Sequence, residues 1–145
     1  MPITKPQIAL LVLNAGGTAG HSPADSTTYT IGANAVLGTL TTDGVYFPIM
    51  TRAGVVRRAR VFTVVAGTLG SGESGTIRVR NVTSTAEEQI SAAMVFSATG
   101  NHIGNEALSL AFTVGDLLNA EFTTPAWVTN PTTVFYNVTL EVEFY

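Results

Sequence analysis

The last thirteen residues of the chain, TVFYNVTLEVEFY (133–145), alternate apolar and polar side chains almost without fault. Val134, Tyr136, Val138, Leu140, Val142 and Phe144 fall on one side of an extended backbone. Phe135, Asn137, Thr139, Glu141 and Glu143 fall on the other. A helix would scatter the two sets around its axis, whereas a strand sorts them to opposite faces. No window of the chain has sustained helical spacing, and period two recurs elsewhere. It predicts burial of Ile77 and Val79 in 75–83, and of Ile90, Ala92, Met94 and Phe96 in 88–97. Leu108, Leu110 and Phe112 follow in 106–112, then Leu118, Ala120 and Phe122 in 116–124. Earlier strands are expected at 28–37, 44–50 and 54–66, with Pro48 marking an edge or a bulge. In the longest of these, Arg57 and Arg58 cannot both point outward from a regular strand, so a bulge is expected near VVRR. Turn signals separate the strands: TDG at 42–44, GTLGSGESG at 67–75, TGNHIGN at 99–105, VGD at 114–116 and TNP at 129–131. About eight strands with short connections describe an all-β, antiparallel β-sandwich or jelly roll.

The surface implied by the composition is unusual for a monomer. Only 12% of residues are charged, about half the ordinary share, while threonine alone contributes 22. A chain with so few charges is expected to be a subunit that hides part of its surface against other subunits. A threonine-rich strand composition is the plainer explanation. With no cysteine, disulfide and thiol chemistry are excluded. The longest apolar run, IALLVL at 8–13, is far shorter than a membrane span.

Residues 1–26 break the rhythm. Pro2 and Pro6 bracket the start, and NAGGTAGHSPADS (14–26) has the composition of a flexible tether. The chain thus divides into an N-terminal arm with tether (1–26) and a sandwich domain (27–145). The arm is read as a segment that pairs with or wraps a neighbour, through Ile3, Lys5, Ile8, Leu10 and Val12. The alternative is a first strand of the same domain, joined by a long loop.

Catalytic signatures are missing. His21 lies in the tether and His102 in a turn, neither with the partners of a nucleophilic triad or a metal centre. Glu141 and Glu143 share a strand face, which on a terminal strand reads as a solvated or ion-paired surface. GTLGSGESG lacks the lysine of a phosphate loop. Trp127 can stack on a sugar, but a rim aromatic closing the core is the plainer reading. No enzyme activity, cofactor or metal is expected.

The positive charge is concentrated. Arg52, Arg57, Arg58, Arg60, Arg78 and Arg80 fall within 52–80, against a single Glu73. Residues 81–145 carry seven acids and no Lys or Arg. A net charge of −3, a single lysine and one aromatic, Phe62, between 48 and 95 argue against nucleic acid as the partner. Arginine without lysine suits geometric pairing with carboxylates. These six are assigned either to contacts with a neighbouring subunit or to cross-strand pairs inside the chain.

The order of these features resembles a known group. A Gly-rich tether precedes YTIGANAV…RNVT (29–83), then FTVGDLLNAEF (112–122), then the aromatic-ended last strand PTTVFYNVTLEVEFY (131–145). This arrangement is similar to the small jelly-roll structural proteins of tailed bacteriophages, and the likeness covers about residues 28–145. The resemblance implies a virion protein on the capsid exterior. In such a role it would act as a decoration (cement) protein that forms a homotrimer, contacts the major capsid protein and clamps neighbouring capsomers. The group also includes trimeric heads of tail fibres, so the alternative is a receptor-binding tip that recognises a surface glycan through the loops at 67–75, 99–105 and 125–131. Neither reading involves nucleic acid or a membrane.

Overall fold

A computed structural model describes residues 5–15, 22–33, 37–38, 47–68, 70, 73–96 and 101–145. Its ten strands among these residues are β1 (Gln7–Ala15), β2 (Thr28–Ile31), β3 (Leu37–Gly38), β4 (Gly54–Ala66) and β5 (Ser74–Asn81), then β6 (Glu87–Val95), β7 (Asn101–Asn105), β8 (Leu110–Phe112), β9 (Leu118–Thr123) and β10 (Thr133–Phe144). They form two antiparallel sheets. Sheet A runs β1-β10-β4-β7, with β8 also paired to β4; sheet B runs β3-β2-β9-β5-β6.

The pairing is nested. β1 lies on β10, β2 on β9, β4 on β7 and β8, and β5 on β6. A long antiparallel ribbon rolled over itself gives this pattern, so the sandwich is a jelly roll. The all-β, antiparallel expectation is met, and the inward faces are largely those read from the alternation. Val134, Tyr136, Val138, Leu140 and Val142 are buried on β10; Ile77 and Val79 on β5; Leu118, Ala120 and Phe122 on β9. Phe122 anchors an aromatic cluster at one end of the core, with Phe96 at 5.3 Å and Tyr136 at 5.1 Å between ring centres. Trp127 packs against Phe96 with its ring tilted, the ring centres 5.1 Å apart, and donates its indole N–H to the Ala24 carbonyl. It therefore closes the core.

Residues 7–15 lie inside this architecture. β1 follows β10 of the same chain through nine consecutive residue pairs, from Gln7 opposite Phe144 to Ala15 opposite Tyr136. Of the two readings open for this segment, the structure takes the first-strand one: Leu13 is fully buried, which a detached arm could not offer it. Ile3, His21 and most of the tether lie outside the described residues.

Four local expectations differ from the structure. Residues 101–105, read as part of a turn, form strand β7 beside β4, because Asn and Gly masked its pairing capacity. The strand expected at 28–37 appears as β2 and β3, with 34–36 outside the described residues. Of 44–50, the described part contributes only a bridge between Ile49 and Leu117. Ala92 is exposed, because β6 carries extra residues against β5: Arg78 faces Gln89, Ile77 faces Ser91 and Gly75 faces Met94. Each shift resets the period, so Ile90 and Met94 stay inward while Ala92 does not. The turn at 114–116 is built as expected. Gly115 has φ of +90°, a conformation that glycine enters at little cost.

Candidate partner-binding face

The outward surface of sheet A brings together most of the residues singled out from the sequence. It is built from three neighbouring strands, β1, β10 and β4, whose registers set which side chains meet. Leu10 lies opposite Glu141, which lies opposite Arg58; Val12 lies opposite Thr139, which lies opposite Arg60.

On β4 the ladder slips by one residue. Glu141 faces Arg58 and Val142 faces Val56, leaving Arg57 as the extra residue of a β-bulge. This is the bulge that the doubled arginine demanded. The Arg57 carbonyl, freed from the ladder, accepts the Leu108 amide at 3.0 Å. On the far side of β4 the neighbouring strand is broken at the same place: β7 pairs with 59–63 and β8 with 54–56.

All six arginines find acceptors within the chain. Arg57 donates to Glu143 at 2.7 Å, and this hydrogen bond raises its already high pKa. Arg58 bridges Glu141 and Glu106, both at 3.1 Å, and Arg60 also pairs with Glu106. On sheet B, Arg78 reaches Glu121 at 2.6 Å and Glu87 at 2.9 Å, and Arg80 reaches Glu121 at 3.0 Å. Arg52 donates to the Tyr145 carbonyl at 2.8 Å and to the Gln7 side chain, with its guanidinium 5.6 Å from the Phe144 ring centre. The opposition between an arginine-rich middle and an acidic end, visible along the sequence, is thus neutralised between adjacent strands. Arg58 and Arg60 nevertheless keep about half of their side-chain surface, 53% and 47%.

The apolar residues of this face behave differently. On β1, the odd residues Leu11 and Leu13 turn to the core, while Ile8, Leu10 and Val12 stay 65%, 69% and 47% exposed. Leu10 also lines a cleft of about 170 Å³ with Arg58, Arg60, Glu106, Thr139 and Glu141. Phe62 adds a fourth apolar side chain, 45% exposed, on β4 opposite His102. Lys5 sits apart, lining an open cleft of about 540 Å³ with Pro6, Gln7, Arg52, Phe144 and Tyr145.

Sequence reasoning gave Glu73 no role. Its carboxylate is buried and accepts the amides of Gly70 at 3.0 Å, Thr129 at 3.0 Å and Val128, tying Gly70 and the start of β5 to the loop after Trp127. Only an acidic residue inside a Gly/Ser run hinted at it. Among the described residues no group of three or more His, Asp or Glu could hold a metal ion.

The fold is a jelly-roll β-sandwich, and chains of solved virus structures are among those similar to it. It is similar to a chain in the structure of infectious bursal disease virus, Gx strain, with TM-score 0.56 and 10% identity over 96% of this chain. The Gt strain of that virus gives TM-score 0.54 and 9% identity over 95%. This chain spans about a third of each of those chains (33% and 32%), so the likeness is to one portion of them. A chain from the cyanophage Pam1 capsid asymmetric unit aligns over 100% of both chains, with TM-score 0.47 and 14% identity. No protein-family model matches the sequence, and no curated protein matches it.

Proposed function

We propose that this chain is a virion structural protein without enzymatic activity. In this reading it is a capsid decoration protein that trimerises on the outside of the head and clamps neighbouring capsomers. The observation that carries the proposal is the row Ile8, Leu10 and Val12, held rigidly on a strand and left bare. Burying such a row against protein stabilises a contact at roughly 25 cal/mol per Å² of apolar surface removed from water. The jelly-roll fold, shared with a portion of chains in a virus structure, supports the same reading. So does the pairing of the arginines with carboxylates among the described residues. Arg58, Arg60 and Glu106, half exposed beside Leu10, supply the polar rim of the contact. The mechanism is mechanical. Many modest interfaces, each repeated around the shell, hold capsomers together by avidity.

The test is cosedimentation of the purified chain with heads that lack it, followed by heating of the decorated heads. The wild-type chain is expected to bind and to raise the temperature at which heads open. An Ile8→Lys/Val12→Lys variant is expected to bind less. Equal binding by both would refute the assignment. The glycan-recognising alternative gains nothing from Trp127, whose ring is buried.

A further inference from the structure

Among the described residues β1 is an edge strand of sheet A, and its backbone has a direction. In an antiparallel pair, alternate residues bond inward to the partner strand and outward to the open side. The Asn14 amide points outward, because it donates to the Gly32 carbonyl at 2.9 Å. The same parity turns the N–H and C=O groups of Ile8, Leu10 and Val12 to the open side. Those are also the three residues whose apolar side chains are bare.

Strand edges in soluble proteins usually carry a charge, a proline or a bulge that discourages pairing. β1 has none of these. Residues 7–15 include no charged residue and no proline, and the register with β10 runs without a shift.

We propose that β1 is a self-pairing edge. Two copies of this chain join antiparallel across a two-fold axis at Leu10, so that the two A sheets become one continuous sheet. The inference deepens the assembly role proposed above by naming one occupant of the β1 surface. The register follows from the atoms that are free. Asn14 has its amide engaged by Gly32, so the longest ladder from the remaining groups places Leu10 opposite Leu10 and Ile8 opposite Val12. That ladder has about six hydrogen bonds. The Ile8–Val12 pairs are β-branched on both sides and pack alike in either direction.

An uncharged edge favours a copy of itself over a charged partner strand, for which it holds no counter-charge. The nearest charges, Glu141 of each copy, are already held by Arg58 and would lie about 14 Å apart across the junction, beyond the screening length at physiological salt.

Cysteine pairing tests both the contact and its register, because the chain has no cysteine of its own. In the proposed junction the two Leu10 Cα atoms lie about 5.5 Å apart, within disulfide reach, whereas the two Ile8 positions are about 14 Å apart. Under mild oxidant, full-length Leu10→Cys should become mostly a disulfide dimer, and Ile8→Cys alone should not. A mixture of Ile8→Cys and Val12→Cys should yield the mixed dimer. Leu10→Lys should remove the wild-type dimer seen by sedimentation, with an unchanged β-sheet spectrum. A wild-type chain monomeric at high concentration, or Ile8→Cys dimerising as readily as Leu10→Cys, would overturn the proposal. If self-pairing fails while Ile8→Lys/Val12→Lys still abolishes binding to heads, the edge serves another protein and the decoration role stands. If the dimer forms but the chain does not bind heads, the decoration role fails alone.

Discussion

Arg57 and Arg58 are consecutive, yet both reach acidic side chains on the same strand of sheet A: Arg57 holds Glu143 at 2.7 Å and Arg58 holds Glu141 at 3.1 Å. The bulge at Arg57 makes this possible by absorbing one residue of β4. The arrangement consumes charge without burying it, since both arginine side chains stay about half exposed, at 42% and 53%. Exposed pairs of this kind contribute little to stability. Arg57→Ala and Arg58→Ala should each shift the urea midpoint only slightly. A loss several times larger in either variant would mean that the pair anchors the bulge itself.

Glu121 is the contrasting case. Its carboxylate has no exposed surface and is held by Arg78 and Arg80 at 2.6 and 3.0 Å. Removing it leaves two guanidiniums facing each other, each still partly open to water. Glu121→Ala is expected to cost about 2–3 kcal/mol in equilibrium unfolding, below the full cost of breaking a wholly buried pair. A cost as small as that of the Arg58 variant would show that solvent screens this cluster too.

Tyr136 carries a hydroxyl into the core with no hydrogen-bond partner among the described residues, and burial pushes its phenol pKa up. A buried, unpaired hydroxyl costs free energy that a hydrogen atom does not. Tyr136→Phe should therefore keep the ring contact with Phe122 and raise stability by about 1 kcal/mol, read as a higher Tm. A lowered Tm would mean that the hydroxyl has a partner after all.

Asp116 gives the fold a component of acid sensitivity. Its carboxyl is held below the ordinary range, first by the Thr113 amide at 2.8 Å and then by Asn81 at 2.7 Å. A depressed folded pKa favours the native state fully above the unfolded value of about 3.9, and the contribution fades as pH falls through the folded value. Wild type and Asp116→Asn should thus differ in Tm at pH 7 and converge as the pH drops below about 4. A gap that stays constant over that range would remove Asp116 from the acid response.

How much of this was legible depended on whether a residue's partner lay on its own strand pattern. The core face of β10, from Val134 to Val142, follows from period two alone, because no register shift disturbs its side-chain alternation. The bulge was legible as well, since Arg57 and Arg58 are adjacent and neither belongs inside. Ala92 was misplaced because the extra residues that β6 carries show only in its register with β5 and leave no mark in the local sequence. The internal destinations of the arginines were open for the same reason. Which carboxylate faces Arg58 is fixed by the pairing of residues 83 positions apart. The placement of β1 was equally hidden. A tether rich in glycine is compatible with a free arm and with a long turn, and only the nested pairing with β10 distinguishes them. Of the residues assigned to the arm, Ile8, Leu10 and Val12 gained a new context: a bare row on a fixed strand.

The account turns on whether the β1 edge is covered in the assembled particle. Cryo-electron microscopy of purified virions measures this directly. The expected result is density for the jelly roll on the outer surface of the head, with Ile8, Leu10 and Val12 packed against another subunit. Particles that lack the chain, or that display it with β1 facing open solvent, would contradict the account.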